Sequence, residues 1–225
     1  MAKKIYLNPG HSNTDPGAVG FETERKLNVK VTDYQKAHLL ANYQCQVRMN
    51  PGTMGSLAAI CKDANSWGAD FFCSNHFNAG KGDGYEALVY KESRRSLGKV
   101  FEKHVKIAGQ NSRGVKLRPN LVVLRDTNMP AILNEGAFVD NKKDIADWNE
   151  DAELKKLGIA YAEATAEYLK LPRKVAEPAP KPEKKDEDVL YRVQVGAYAV
   201  EENAKTMEKK LEEAGFDAIV VAGEK

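Results

Sequence analysis

Four side chains capable of chemistry stand where apolar runs give way to polar loops. His11 follows Ile5-Tyr6-Leu7 within "NPGHSNTDPG", His76 follows Phe71–Ser74 within "SNHFNA", and Glu135 follows Ala131–Leu133 within "LNEGAF". Glu24 opens the helical period after the first loop. In an open α/β sheet, ligands bind beyond the carboxyl ends of the strands. If these ends share one edge, two imidazoles and a carboxylate converge there, which is the ligand set of a catalytic zinc ion with an open position. No local H-E-x-x-H motif is present. On pattern alone, hydrogen-bonded loop histidines remain the alternative. His38 and His104 lie inside helical stretches with charged or polar neighbours and are expected at the surface. Cys45, Cys61 and Cys73 lack the spacing of a disulfide framework or a zinc ribbon, and their apolar surroundings predict buried free thiols.

The elements that must position these residues alternate in type. Strand-like runs occur at Ile5–Leu7, Cys45–Met49, Phe71–Ser74, Ala87–Tyr90, Leu121–Leu124 and Ala131–Leu133. Helical periods occur at Glu24–Asn42, Ser56–Ser66, Leu97–Gly109 and Ala152–Leu169. This alternation predicts an α/β domain with a mixed, largely parallel six-stranded sheet flanked by helices, over residues 1–172. Residues 173–188, "RKVAEPAPKPEKKDED", cannot bury apolar area and read as an extended Pro- and charge-rich linker. Residues 189–225 read as strand, helix, strand, with Ala204, Met207 and Leu211 on one helix face and Gly215 as the stop.

The chain has 225 residues and a formal net charge of +2, which offers no basic excess for nucleic acid. No window approaches the roughly 18 consecutive apolar residues of a membrane helix. Met1-Ala2-Lys3-Lys4 has the charge of a secretory signal, but the apolar run behind it ends in Asn8-Pro9-Gly10. Synthesis in the cytoplasm without a signal peptide is therefore expected.

With these residues in view, the chain resembles the zinc-dependent N-acetylmuramoyl-L-alanine amidases of the amidase-3 family. "LNPGHSNTDPGAVG" is similar to that family's "DPGHGG…DPGA.G" opening, and "TERKLNVKV" to its "GEKDLNL" helix start. "ADFFCSNHFNAG" resembles "ADLFVSIHANA", and "VLRDTNMPAILNEGAFVDN" resembles "VLR.t.mPAVLVE.GFLSN". The resemblance implies one zinc ion held by His11, Glu24 and His76, with Glu135 as the catalytic glutamate. The implied reaction is hydrolysis of the amide between N-acetylmuramic acid and L-alanine in peptidoglycan. Asn78 falls in the stretch matching "HANA" and is a candidate substrate contact, beside a role in loop structure. Arg118 and Arg125 are candidate contacts for stem-peptide carboxylates, beside a reading as solvated charge. Asn8, Ser12, Asn75 and Asn134 depart from the family pattern. Asn8 can still accept a hydrogen bond from an imidazole N–H, without a carboxylate's charge.

"YRVQVGAYAVEENAKTMEKKLEEAGFDAIVV" resembles the first half of a SPOR domain, a peptidoglycan-binding module. A shortened chain, a naturally short tail, or two tails pairing into one sheet of a dimer would each account for the missing half. Peptidoglycan is thus the expected partner of both regions. The wall would be reached after release, as by a phage endolysin or a bacterial autolysin. A zinc peptidase or carboxypeptidase acting on free peptides, and a non-catalytic wall-binding protein, are the alternative functions.

Overall fold

The computed structural model describes residues 2–54, 56–174 and 194–222. The chain divides into two units, Met1–Val175 and Ala176–Lys225. In the first unit six strands form one sheet: β1 (Lys3–Pro9), β2 (Cys45–Met49), β3 (Phe71–Asn78), β4 (Tyr85–Val89), β5 (Ser112–Leu117) and β6 (Ala131–Phe138). Their order is β2-β1-β3-β6-β4-β5. The pairs β1–β2, β1–β3, β3–β6 and β4–β5 are parallel, whereas β4 runs antiparallel to β6. The mixed, largely parallel sheet is the expected one. The central strands β3 and β6 are largely buried on both faces, as strands covered by helices must be.

Among the described residues this unit has six α-helices, α1 (Glu24–Asn42), α2 (Leu57–Trp67), α3 (Arg95–Ala108), α4 (Val122–Arg125), α5 (Lys142–Trp148) and α6 (Asp151–Leu169). On one face of the sheet Leu7, Phe71, Cys73 and Ile132 pack with Leu27 and Val31 of α1, Leu97 and Phe101 of α3, and Leu157 and Tyr161 of α6. On the other face Tyr6, Phe72, Leu88 and Leu133 pack with Ile60 and Ala64 of α2 and Val123 and Leu124 of α4. Each large apolar side chain buried this way contributes about 1.5–3 kcal/mol. The second face carries only an 11-residue helix and a four-residue one, so the polar ends of its strands extend past their cover. Buried Asp144 ties the far ends together. Its carboxylate accepts from the Gly84 and Phe138 amides at 2.9 and 2.8 Å and from Gln110 Nε2 at 3.0 Å.

One expected strand is a helix. Leu121–Leu124 was expected to be extended, but Val122–Arg125 forms the single turn of α4, and the Val122 carbonyl lies against Cys61 Sγ of α2 at 3.7 Å. A four-residue apolar run has no period long enough to tell strand from helix. The sixth strand is instead β5, where a register shift against β4 breaks the alternation that would reveal it. His38 and His104 are not free surface residues. Both are half-buried against α6, with Nε2 2.7 Å from Glu163 and 2.8 Å from Glu167, respectively. All three cysteines are free, with Cys61 and Cys73 buried and Cys45 half-buried.

The expected linker lies outside the described residues from Val175 onward. In the second unit α7 (Glu201–Glu213) forms as expected. Its least exposed positions include Ala204, Met207 and Leu211, and Gly215 takes a left-handed conformation just past its end. The flanking strands expected there do not form among the described residues: 194–200 and 216–222 pair with no other segment, and Val195, Phe216 and Ile219 stay exposed. Apolar character alone cannot make a strand, which needs a neighbour to receive its N–H and C=O groups.

Candidate metal centre

The loop after β1 brings His11 over the ends of the sheet. Gly10 donates its amide to the Asn75 carbonyl at 2.8 Å, which continues the β1–β3 pairing. A side chain at Gly10 would run into the His76 ring, 2.2 Å from an added Cβ, so only glycine lets the chain cross that imidazole. His11 then adopts a left-handed backbone with φ of 65°, uncommon for a residue with a Cβ. Arg25 holds this bend, donating to the Pro9 carbonyl at 2.8 Å, the Gly10 carbonyl at 3.2 Å and Asn13 Oδ1 at 3.1 Å. Gly17, with φ of 69°, closes the loop where an added Cβ would sit 2.5 Å from His11 and 2.6 Å from Glu24. The prolines and glycines of "NPGHSNTDPG" thus aim one imidazole at one carboxylate.

Glu24 occupies the first turn of α1, where the helix dipole favours an anion. Its Oε2 lies 2.9 Å from His11 Nε2 and accepts the Ala18 amide at 2.9 Å. Its Oε1 lies 2.8 Å from His76 Nδ1. One ligand atom each from His11, Glu24 and His76 lie within 4.8 Å of one another. Ligand atoms of a tetrahedral zinc site, with bonds of about 2.0–2.1 Å, stand roughly 3.3 Å apart, so the donor set fits such an ion with little adjustment. Burial opposes ionisation of Glu24, but hydrogen bonds from His11 and His76 hold its carboxyl well below the usual carboxylate range. The hydrogen bond to Glu24 raises the His11 imidazole to about 9, with burial opposing and Asp15 assisting.

Asp15 is a participant that the sequence reading did not assign. Its Oδ2 lies 2.8 Å from His11 Nδ1, which leaves Nε2 pointing at Glu24. A carboxylate on the far nitrogen is the usual way to fix the tautomer and orientation of a metal-binding histidine. Asn8, the expected acceptor for an imidazole, does not act there. It donates to Ser74 Oγ at 2.8 Å and accepts from Asn50 at 2.7 Å, because its side chain turns toward the α2 face. The aspartate in "TDPGA", four residues past the histidine, was the available signal.

Glu135 of β6 is the Cα partner of His76 on β3. The two residues lie on the face of the sheet that also carries Phe72 and Leu133. Glu135 Oε2 is buried without a hydrogen-bond partner. Burial, and then the charges of Glu24 and Glu86, push this carboxyl well above the usual range. Asn78 sits at the end of β3, with Nδ2 3.4 Å from Glu86 Oε2 and Oδ1 accepting the Ala79 amide at 2.8 Å. Arg118 is exposed, and its positive charge acts on Glu135. Arg125 is spent on Asp126, at 2.7 and 3.0 Å.

The chain resembles known proteins in sequence and in fold. The chain is 31% identical over 234 residues to N-acetylmuramoyl-L-alanine amidase CwlM of Bacillus licheniformis, covering 97% of this chain and 84% of that protein. It is 33% identical over 198 residues to an endolysin of Bacillus phage SPP1, covering 82% of this chain and 73% of that protein. The catalytic domain of the amidase CwlV from Bacillus (Paenibacillus) polymyxa var. colistinus superimposes with a TM-score of 0.71 at 26% identity, covering 76% of this chain and 99% of that domain. A SPOR domain model matches residues 187–225. The model of the amidase-3 family, described as N-acetylmuramoyl-L-alanine amidase, matches residues 5–167, and the chain belongs to that family.

Proposed function

We propose that the chain is a zinc-dependent amidase in which His11, Glu24 and His76 hold one ion and Glu135 moves the proton during cleavage of the muramoyl–L-alanine amide. The observation that carries this reading is the convergence of the three ligand atoms within 4.8 Å, with Glu135 in register beside His76. When bound, a divalent ion would polarise the amide carbonyl, acidify the attacking water, and offset the Glu24 charge near Glu135. Glu135 would then accept the water's proton and deliver it to the leaving amine of L-alanine. Asp15 holds the His11 ring in place, and Glu24 spans both imidazoles. The SPOR-family match supports a wall-binding role for the second unit, which would keep the enzyme on its polymeric substrate after release.

Wall digestion before and after chelation, with zinc add-back and mass analysis of the products, tests this reading. The expected products are new L-alanine amino termini without new reducing sugars, lost on chelation and restored by zinc. Equal cleavage of free peptides would point to a peptidase instead. Wall binding without any cleavage would point to a non-catalytic binding protein.

A further inference from the structure

A second charged cluster lies one strand beyond Glu135. Glu86 of β4 is the Cα partner of Glu135 and is buried. Leu88, two residues along β4, packs on the Phe72 and Leu133 side, so Glu86 shares the face of Glu135 and His76. Glu86 Oε1 receives both Arg113 Nε, at 2.6 Å, and the Lys116 ammonium. Its Oε2 lies 3.4 Å from Asn78 Nδ2. Burial opposes ionisation of Glu86, but Lys116 and Arg113 more than offset it, so the carboxyl stays below its usual range.

One cation would suffice to balance this buried carboxylate, yet two converge on it. The register shift between β4 and β5 sets both Arg113 and Gly114 opposite Glu86, and such bulges commonly re-aim a side chain beside a site. The Arg113 guanidinium lies over the Phe138 ring at 5.4 Å. The Arg113 and Lys116 side chains are 42% and 31% exposed, so donors remain for a ligand. The cluster carries a net positive charge, to which exposed Arg118 adds.

We propose that Arg113 and Lys116, held by Glu86, form a subsite for a free carboxylate of the stem peptide. The inference rests on the amidase reading above. Adjacent strands are about 4.8 Å apart, close to the reach of one peptide residue. With the scissile amide between His76 and Glu135, the residue after L-alanine therefore falls over β4. In a stem peptide that residue is a glutamate joined through its side-chain carboxyl, which leaves its α-carboxylate free unless it is amidated. A guanidinium and an ammonium presented together recognise such an anion through charge-assisted hydrogen bonds.

The test uses the full zinc-loaded chain and two soluble muramoyl dipeptides that differ only in bearing an α-carboxylate or a carboxamide. The expected kcat/KM is about tenfold higher for the acid, expressed mainly in KM. In an Arg113→Ala/Lys116→Ala double variant the acid-to-amide ratio should fall to within about twofold, whereas Lys116→Arg should preserve it. Equal cleavage of the two by the unaltered chain overturns the subsite and leaves the amidase reading standing. A double variant that keeps the full preference also overturns the subsite. Cleavage of neither substrate overturns the amidase reading and the subsite with it.

Discussion

Glu24 and Glu135 both neighbour His76, yet their surroundings are opposite. Glu24 has both oxygens engaged, by two imidazoles and a backbone amide, and stays ionised. Glu135 is half-buried in β6 with one oxygen buried and unpartnered, near two other carboxylates, and its carboxyl is pushed well above the usual range. The difference fits the roles proposed for them. A carboxylate already wrapped in donors is a ligand, whereas one whose proton is held by its environment can exchange it during a reaction.

The largest expected effect comes from exchanging these roles. Glu135→Gln should keep one ion per chain and lose wall cleavage by roughly a hundredfold or more, measured as metal content beside turnover. Glu24→Gln should instead lose the ion itself on gel filtration. A Glu135→Gln chain that loses its metal would erase the distinction. A smaller effect is expected at Asp15, whose side chain is 60% exposed, so solvent screens its bond to His11. Asp15→Ala should weaken zinc affinity by about tenfold in a chelator competition, the low end for a group that orients a ligand.

The smallest effect sharpens the contrast with a carboxylate that serves stability alone. Glu102 of α3 is buried between Lys99, Lys106 and Ser112. Burial works against its ionisation, but these partners bring its pKa down to about 2. Because the folded value lies below the unfolded one, this stabilisation is fully present above about pH 4.5 and fades as the pH falls toward 2. Glu102→Gln should cost on the order of 1–2 kcal/mol at neutral pH and flatten acid unfolding across that window, while wall cleavage at neutral pH stays unchanged.

What the sequence made legible follows from how local each signal is. The extent of α1 could be read closely, because Leu27, Val31 and Leu39 repeat at helical spacing and Glu24 marks the first turn. The four candidate site residues could be singled out because each ends an apolar run or opens a helix. β5 was hidden because Arg113 and Gly114 interrupt its alternation at the bulge. The pairing of Asp15 with His11 depends on a left-handed residue at position 11, which no periodicity records. The second unit shows the same limit from the other side. Its helix forms from its own residues, but its apolar flanks need strand partners that no pattern within them can supply.

Anomalous diffraction at the zinc edge, from crystals of the zinc-loaded chain, tests the central claim most directly. The account predicts one peak per chain, about 2.0–2.1 Å from His11 Nε2, a Glu24 oxygen and His76 Nδ1. A peak ligated elsewhere, or none at these three residues, would contradict it.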